Sequence, residues 1–374
     1  MVKETKTNNF RIIDYSLNEE NDEIIPYFYK FEHKNSIAFL ATLDYFKFLS
    51  VTIQSYITYH KEKTEFIIIT NEKNDLEFKK LPVNNDNLFY TFIVVNSKID
   101  LDKFSEWGWN KKWSPFIFCK LILTNKIFKS FKKILFVDCD CIFLGNISEL
   151  FLIDMGKNQI AGANDFPCIS LNYLRNTFND IKTYNYDLRK KILNEFDCEI
   201  NYYTYINRLL KVNSYEYINC GVVLFNLENI EDFSNSKLWI KDLMVLEQDM
   251  LNVVFKNKKM IISPIYNYPF VNKKHLEIKI DSLISQSHEK DWIEAFKNKK
   301  IVHFYMSQKP WISIKMKKSE THSFWFNFAK KTNYWSQILK VIKAKDKQRR
   351  HQFYLRFISL KWIPSMLKKM VLSN

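Results

Sequence analysis

Glycine is almost missing from this chain. Five glycines occur in 374 residues, where average usage of about 7% would supply roughly 26. A glycine-rich loop wrapped around phosphates is therefore all but excluded, and any phosphate the protein binds must be held another way. A second absence lies at the amino terminus: MVKETKTNNFRIIDYSLNEENDEII has no apolar core of leader length, and no run of about 18 uncharged apolar residues follows it. The expectation is a soluble, unsecreted chain. The six cysteines (Cys119, Cys139, Cys141, Cys168, Cys198, Cys220) form no CxxC pair and lie within or beside apolar segments. That pattern fits reduced core thiols better than a disulfide framework or a zinc knuckle.

What is present is apolar and aromatic residue, 47% and 16% of the chain respectively, enough for one large α/β domain with an appendage. Ser36 to Ala41 reads as a buried strand. Leu49, Ile53, Tyr56 and Ile57 follow at helical spacing, and Glu65 to Thr70 (EFIIIT) is again a strand. Thr91 to Val95 continues the series. Ser114-Pro115 has the chemistry of a helix start ahead of PFIFCKLILTNKIF. Further strands are expected at 134–138, Gln159 to Ala163, Gly221 to Leu227 and Ile301 to Tyr305, with a helix from Ser236 to Phe255. Alternation of this kind predicts a mainly parallel sheet covered on both faces, which binds ligands beyond the carboxyl ends of its strands.

One such end carries the chemistry. In KILFVDCDCIFLGNISEL (133–150) a buried apolar run stops at two acids, Asp138 and Asp140. Buried unpaired charge costs several kcal/mol, so such a pair either neighbours a cation or leaves the core, and a bound metal is the economical reading. Residues i and i+2 of an extended chain face one side, about 6–7 Å apart, and can share one divalent ion. Such an ion could hold a diphosphate.

Around this pair lie IAFLATLDYFKFLSVTIQS (37–55), FCKL (118–121), ILFVDCDCIFLGNISELF (134–151), NCGVVLFNL (219–227), EQDMLN (247–252) and VHFYMSQKPW (302–311). In that order and spacing the chain resembles the family 8 glycosyltransferases, the group of glycogenin and of bacterial lipopolysaccharide galactosyl- and glucosyltransferases, over about its first 310 residues. The resemblance implies a GT-A type nucleotide-diphosphosugar fold, a UDP-sugar donor, Mn²⁺ with Mg²⁺ as the alternative, and transfer with retention of anomeric configuration. It implies metal ligation by Asp138, Asp140 and His303, a mixed oxygen and nitrogen set suited to Mn²⁺. Lys309 would stabilise the departing diphosphate. Lys120 and Cys139 would support the donor, Tyr45 would stack on uracil, and Ala41 and Asp44 would line the nucleoside pocket. Asp165, Asn219, Glu247 and Gln248 would face the sugar, with Gln248, Glu247 and Lys309 as the catalytic set. An amide is a poor nucleophile, so same-face attack on an oxocarbenium-like centre is expected rather than a covalent intermediate. The chain departs from the family pattern at Thr42 and Leu43 (commonly Asp or Asn), at Glu247 (usually Asp) and at Met306 (usually Gly).

These readings divide the chain into a catalytic domain, 1–312, with an inserted acceptor region at 166–217, and a basic aromatic C-terminal region, 313–374. The last segment carries ten basic residues between Lys340 and Lys369 against Asp346 alone, more than half of the net charge of +15. Phe353, Tyr354, Phe357, Ile358 and Leu360 beside Arg349, Arg350, Arg356 and Lys361 suggest an amphipathic segment that rests on an anionic membrane. The expected setting is the inner face of the cytoplasmic membrane, with a glycan or glycolipid acceptor. A nucleic-acid binder is disfavoured because the charge is concentrated in the tail and no reader motif occurs. A sugar nucleotidyltransferase would need the glycine-rich loop that is missing, and an inactive sugar-binding relative would not need the acids, His303 and Lys309 together.

Overall fold

A computed structural model describes residues 4–7, 10–15, 35–83, 87–95, 115–166, 205–233, 243, 245–270, 286–304, 308–312 and 319–359. Its strands are β1 (Glu4–Thr7), β2 (Phe10–Tyr15), β3 (Asn35–Leu40), β4 (Thr64–Thr70), β5 (Leu88–Val95), β6 (Lys133–Val137), β7 (Cys141–Phe143), β8 (Ile160–Asn164), β9 (Ile218–Asn226), β10 (Lys259–Ile261), β11 (Tyr268–Pro269) and β12 (Ile301–His303). Nine form one sheet in the order β1-β2-β5-β4-β3-β6-β9-β8-β10, and β11-β12-β7 form a second. Strands β2, β5, β4, β3 and β6 run parallel, whereas β9 is antiparallel to both β6 and β8.

The apolar composition of the parallel strands follows from their position, because each is covered on both faces. Ile37 and Phe39 of β3 join one core cluster and Ala38 joins the other; Val222 and Leu224 of β9 divide from Val223 and Phe225 in the same way. From β3 the chain builds outward through β4 and β5, then returns to the opposite side of β3 as β6. That reversal opens a crevice beyond the carboxyl ends of β3 and β6. Ala41 to Tyr45 leave one strand there and Asp138 to Asp140 leave the other. Since β9 runs the other way, its beginning, Asn219 to Gly221, reaches the same end.

Helix α1 (Phe46–Tyr59) lies under this crevice, and Thr52 Oγ1 donates to the carbonyls of Cys139 (3.0 Å) and Cys141 (2.8 Å). Helices α2 (Asp75–Phe78), α3 (Leu246–Val254), α4 (Gln286–Asn298), α5 (Glu320–Ala329) and α6 (Trp335–Ser359) complete the described helices. The C-terminal region begins as part of the body: Trp325, Ile338 and Ile342 are fully buried in the core cluster that contains α1. Past Ile342 the described side chains of α6 face outward.

Several boundaries differ from the sequence reading. Pro115–Thr124 winds as a 3₁₀ helix rather than an α-helix, with Phe116 and Phe118 to Thr124 buried. The cap expected at Ser114 falls outside the described residues. Helix α3 begins at Leu246, so Glu247, Gln248 and Asp249 lie in its first turn rather than in the interior of a longer helix; most of the expected 236–245 stretch is outside the described residues. Strand β12 ends at His303, although the Phe304 amide still donates to the Asp140 carbonyl at 2.9 Å; residues 305–307 lie outside the described residues. The strand at β5 starts earlier than Thr91, at Leu88. Of the 166–217 insertion, 167–204 lie outside the described residues; Tyr205–Leu209 is a π-helical turn and Ser214–Glu216 a 3₁₀ turn. Met306 and the side chains from 352 onward also lie outside them.

Candidate active site

The metal residues expected from sequence come together. Asp140, just after β6, has Oδ1 3.1 Å from His303 Nε2 and Oδ2 2.6 Å from Lys309 Nζ. Asp138 Oδ2 is 3.9 Å from the same imidazole nitrogen, and Asp138 Oδ1 is 3.6 Å from Lys120 Nζ. Burial alone would raise the Asp140 carboxyl, but Lys309 and His303 outweigh it and hold Asp140 well below the usual carboxylate range. Lys309 is likewise kept protonated: burial would lower it, and Asp140 pushes it above its ordinary value. Its segment is pinned by Trp311, whose ring stacks on Phe48 of α1 at 4.0 Å between centroids.

Two carboxylates and an imidazole fit a divalent cation of intermediate hardness. Gly221 supplies the space this requires. A Cβ added there would lie 2.1 Å from His303 Cε1 and 2.4 Å from Nδ1, so any side chain would drive the imidazole off its place.

Beside this charged group stands a wall of amides and hydroxyls. Asn219 Nδ2 donates to Asp165 Oδ1 (3.0 Å) and to Gln248 Oε1 (3.1 Å), and Gln248 Nε2 donates to Asp165 Oδ2 (3.2 Å) and Tyr217 Oη (3.4 Å). Gln248 Oε1 also accepts from the Cys220 amide at 3.2 Å. Burial pushes Asp165 up to about 6 despite its bonds to Asn219 and Gln248. Burial also raises Glu247.

Lys120 is 1% exposed, donates to the Cys220 carbonyl at 3.0 Å, and lies 3.6 Å from Asp138 and 3.8 Å from Glu247. Burial would lower it, yet the acids around it raise it above the ordinary lysine value. It links the cation group to the amide wall from beneath. Cys139 is buried, with its thiol raised well above the ordinary range by burial. Ala41 is buried at the end of β3, Asp44 is exposed in the turn Leu43–Tyr45, and the Tyr45 ring is 40% exposed beside Phe48. An exposed aromatic at the crevice rim is free to stack on a ligand.

Sequence reasoning missed the support of the amide wall. Asp249 is fully buried and accepts from Tyr205 Oη (2.7 Å), Tyr217 Oη (2.5 Å) and the Val245 amide (2.6 Å). Asn267 Nδ2 donates to Asn219 Oδ1 at 2.9 Å. The apolar neighbours Met250 and Leu251 could have marked Asp249 as buried, whereas Asn267 carries no local signal.

Comparison with known proteins gives a consistent picture. The profile of "Glycosyl transferase family 8" matches residues 36–315. A Haemophilus influenzae protein, provisionally named a glycosyltransferase, is 24% identical over 256 residues, which is 64% of this chain and 67% of that protein. The WbbM bifunctional glycosyltransferase in its apo form superposes with a TM-score of 0.60 at 17% identity, covering 83% of this chain and 52% of that one, so the chain spans about half of it. The galactosyltransferase LgtC, solved with donor and acceptor sugar analogues, superposes with a TM-score of 0.56 at 16% identity, over 80% of this chain and 96% of that one. These neighbours share the GT-A fold with this protein.

Proposed function

The chain belongs to glycosyl transferase family 8, and on that footing we propose that it moves a hexose from a UDP-sugar, with retention of anomeric configuration, to a glycan or glycolipid acceptor of the lipopolysaccharide or lipooligosaccharide type. The supporting observation is that Asp138, Asp140, His303 and Lys309 meet at the β3/β6 reversal, directly beside the neutral wall of Asn219 and Gln248. The acids and the imidazole would hold Mn²⁺ or Mg²⁺. That ion supplies a Lewis acid for the diphosphate as it leaves.

The protein's own groups divide the remaining work. The Lys309 ammonium, shared from Asp140, would neutralise the charge that grows on the β-phosphate. Tyr45 would stack on uracil, with Ala41 and Asp44 beside it. Asp165, Asn219 and Glu247 would recognise sugar hydroxyls. Gln248 Oε1 already accepts two hydrogen bonds, which favours attack on the face that UDP leaves over a covalent adduct with the amide. The LgtC complex with donor and acceptor analogues supports both partners as the working pair, with the 166–217 region shaping the acceptor side.

A donor panel tests this reading. UDP release from one of UDP-glucose, UDP-galactose or their N-acetylated analogues, dependent on added Mn²⁺ or Mg²⁺, is expected. Pyrophosphate release would point to a nucleotidyltransferase, and nucleotide-sugar binding without turnover to an inactive relative.

Membrane association is part of the same proposal. Lys343, Lys345, Lys347, Arg349 and Arg350 are exposed on α6 beyond Ile342, the last buried side chain among those described there, and each would add about 1 kcal/mol at an anionic surface. A deletion should therefore begin at Lys343, since removing Ile338 and Ile342 would open the core. The shortened chain should lose binding to anionic vesicles and keep donor turnover; vesicle binding equal to that of the full chain would refute the assignment.

A further inference from the structure

The cation group contains one donor atom that the oxygen and imidazole set does not use. Cys141 is paired directly across from His303 in the antiparallel β7/β12 register, so the two side chains stand on one face of the small sheet. Both converge on Gly221: its missing Cβ makes room for the imidazole, and its carbonyl lies 3.9 Å from the Cys141 sulfur. Ligand atoms of Asp140, Cys141 and His303 all fall within 4.8 Å of one another, and all three residues are buried. The Cys141 backbone is fixed by Thr52 Oγ1 on its carbonyl at 2.8 Å.

Hard cations such as Mn²⁺ and Mg²⁺ favour oxygen, whereas Zn²⁺ and Co²⁺ favour a mixed set of thiolate, imidazole and carboxylate, with three protein ligands and a fourth position open. We propose that this centre has a second binding mode, in which a thiophilic divalent cation is held by Asp140, Cys141 and His303 and excludes the cation used with the donor. The Cys141 thiol gives its proton to solvent as the sulfur–metal bond forms, and no change of oxidation state is involved. The thiol thereby makes the site sensitive to zinc-like ions. This rests on the cation site of the proposed function, but it makes a separate demand, namely that sulfur reaches the metal.

Cobalt reads that demand directly. The full chain, without nucleotide, is titrated with Co²⁺ and followed by its thiolate-to-cobalt charge-transfer absorption, alongside Cys141→Ser, Cys139→Ser and Asp140→Asn. The band is expected in the unaltered chain and in Cys139→Ser, lost in Cys141→Ser, and weakened at least tenfold in apparent affinity in Asp140→Asn. Mn²⁺ binding measured by electron paramagnetic resonance should be unchanged in Cys141→Ser, which also shows that this variant is folded. A band that survives Cys141→Ser, or no band in the unaltered chain, overturns the proposal. Loss of Mn²⁺ binding by the unaltered chain would instead strike the underlying cation site.

Discussion

On the β6/β12 side of the site, Asp138, Asp140, His303 and Lys309 are joined by carboxylate-to-nitrogen contacts of 2.6–3.9 Å. On the β8/β9 side, Asp165, Asn219, Gln248 and Tyr217 are held by hydrogen bonds of 3.0–3.4 Å among mostly neutral groups. The first wall keeps its carboxylate ionised although it is buried; the second pushes its carboxylate towards protonation. The same residue type, aspartate, thus serves as a charge in one place and as a hydrogen-bonding shape in the other. A leaving diphosphate needs the former, and discrimination among sugar hydroxyls needs the latter.

Isosteric removal of charge should separate the two walls. Asp140→Asn leaves the shape and removes the charge that pairs with Lys309 and His303, so donor turnover should fall roughly 100-fold or more, read as UDP release. Turnover near the unaltered rate would mean that the charged wall is not the catalytic one. Asp249→Asn tests the frame behind the neutral wall. It weakens the bonds from two tyrosines and a backbone amide at a fully buried position, and should cost about 3 kcal/mol in denaturant unfolding.

Gly221→Ala probes the seam between them. The added methyl collides with the His303 ring, so cation affinity should drop about tenfold, equal to about 1.4 kcal/mol, in a Mn²⁺ titration. Unchanged affinity would show that the imidazole does not touch the ion. A pH-dependent effect on stability is expected from Asp165→Asn. The raised carboxyl of the native protein contributes stability that is complete below the ordinary carboxylate pKa and lost as pH rises through about 6. The variant should therefore gain about 3 kcal/mol on the unaltered chain between acidic and neutral pH. A constant difference in unfolding free energy across that range would contradict the assignment of Asp165 to a wall that disfavours charge.

Much of the charged wall was readable in the chain, because acids at the end of an apolar strand conflict with burial unless a cation is near. Asp138 and Asp140 announced themselves in that way, and His303 with Lys309 followed from the resemblance. The parallel strands were readable for the same reason of burial, since EFIIIT has no polar face to show. The neutral wall was less so. Asp249 has apolar neighbours, Met250 and Leu251, that hint at burial, but its partners Tyr205 and Tyr217 lie 44 and 32 residues away and no local pattern names them. Lys120 carries no local sign of the two acids it lies between, which arrive from β6 and α3. Pairings of this kind depend on the three-dimensional path, which local periodicity does not encode.

The most direct test is a Mn²⁺ titration of the full chain in the presence of UDP, followed by electron paramagnetic resonance and repeated with Asp140→Asn. Uptake of one ion by the unaltered chain, abolished in the variant, is the predicted result. Equal uptake by both proteins would contradict the assignment of the cation to the acids at the end of β6.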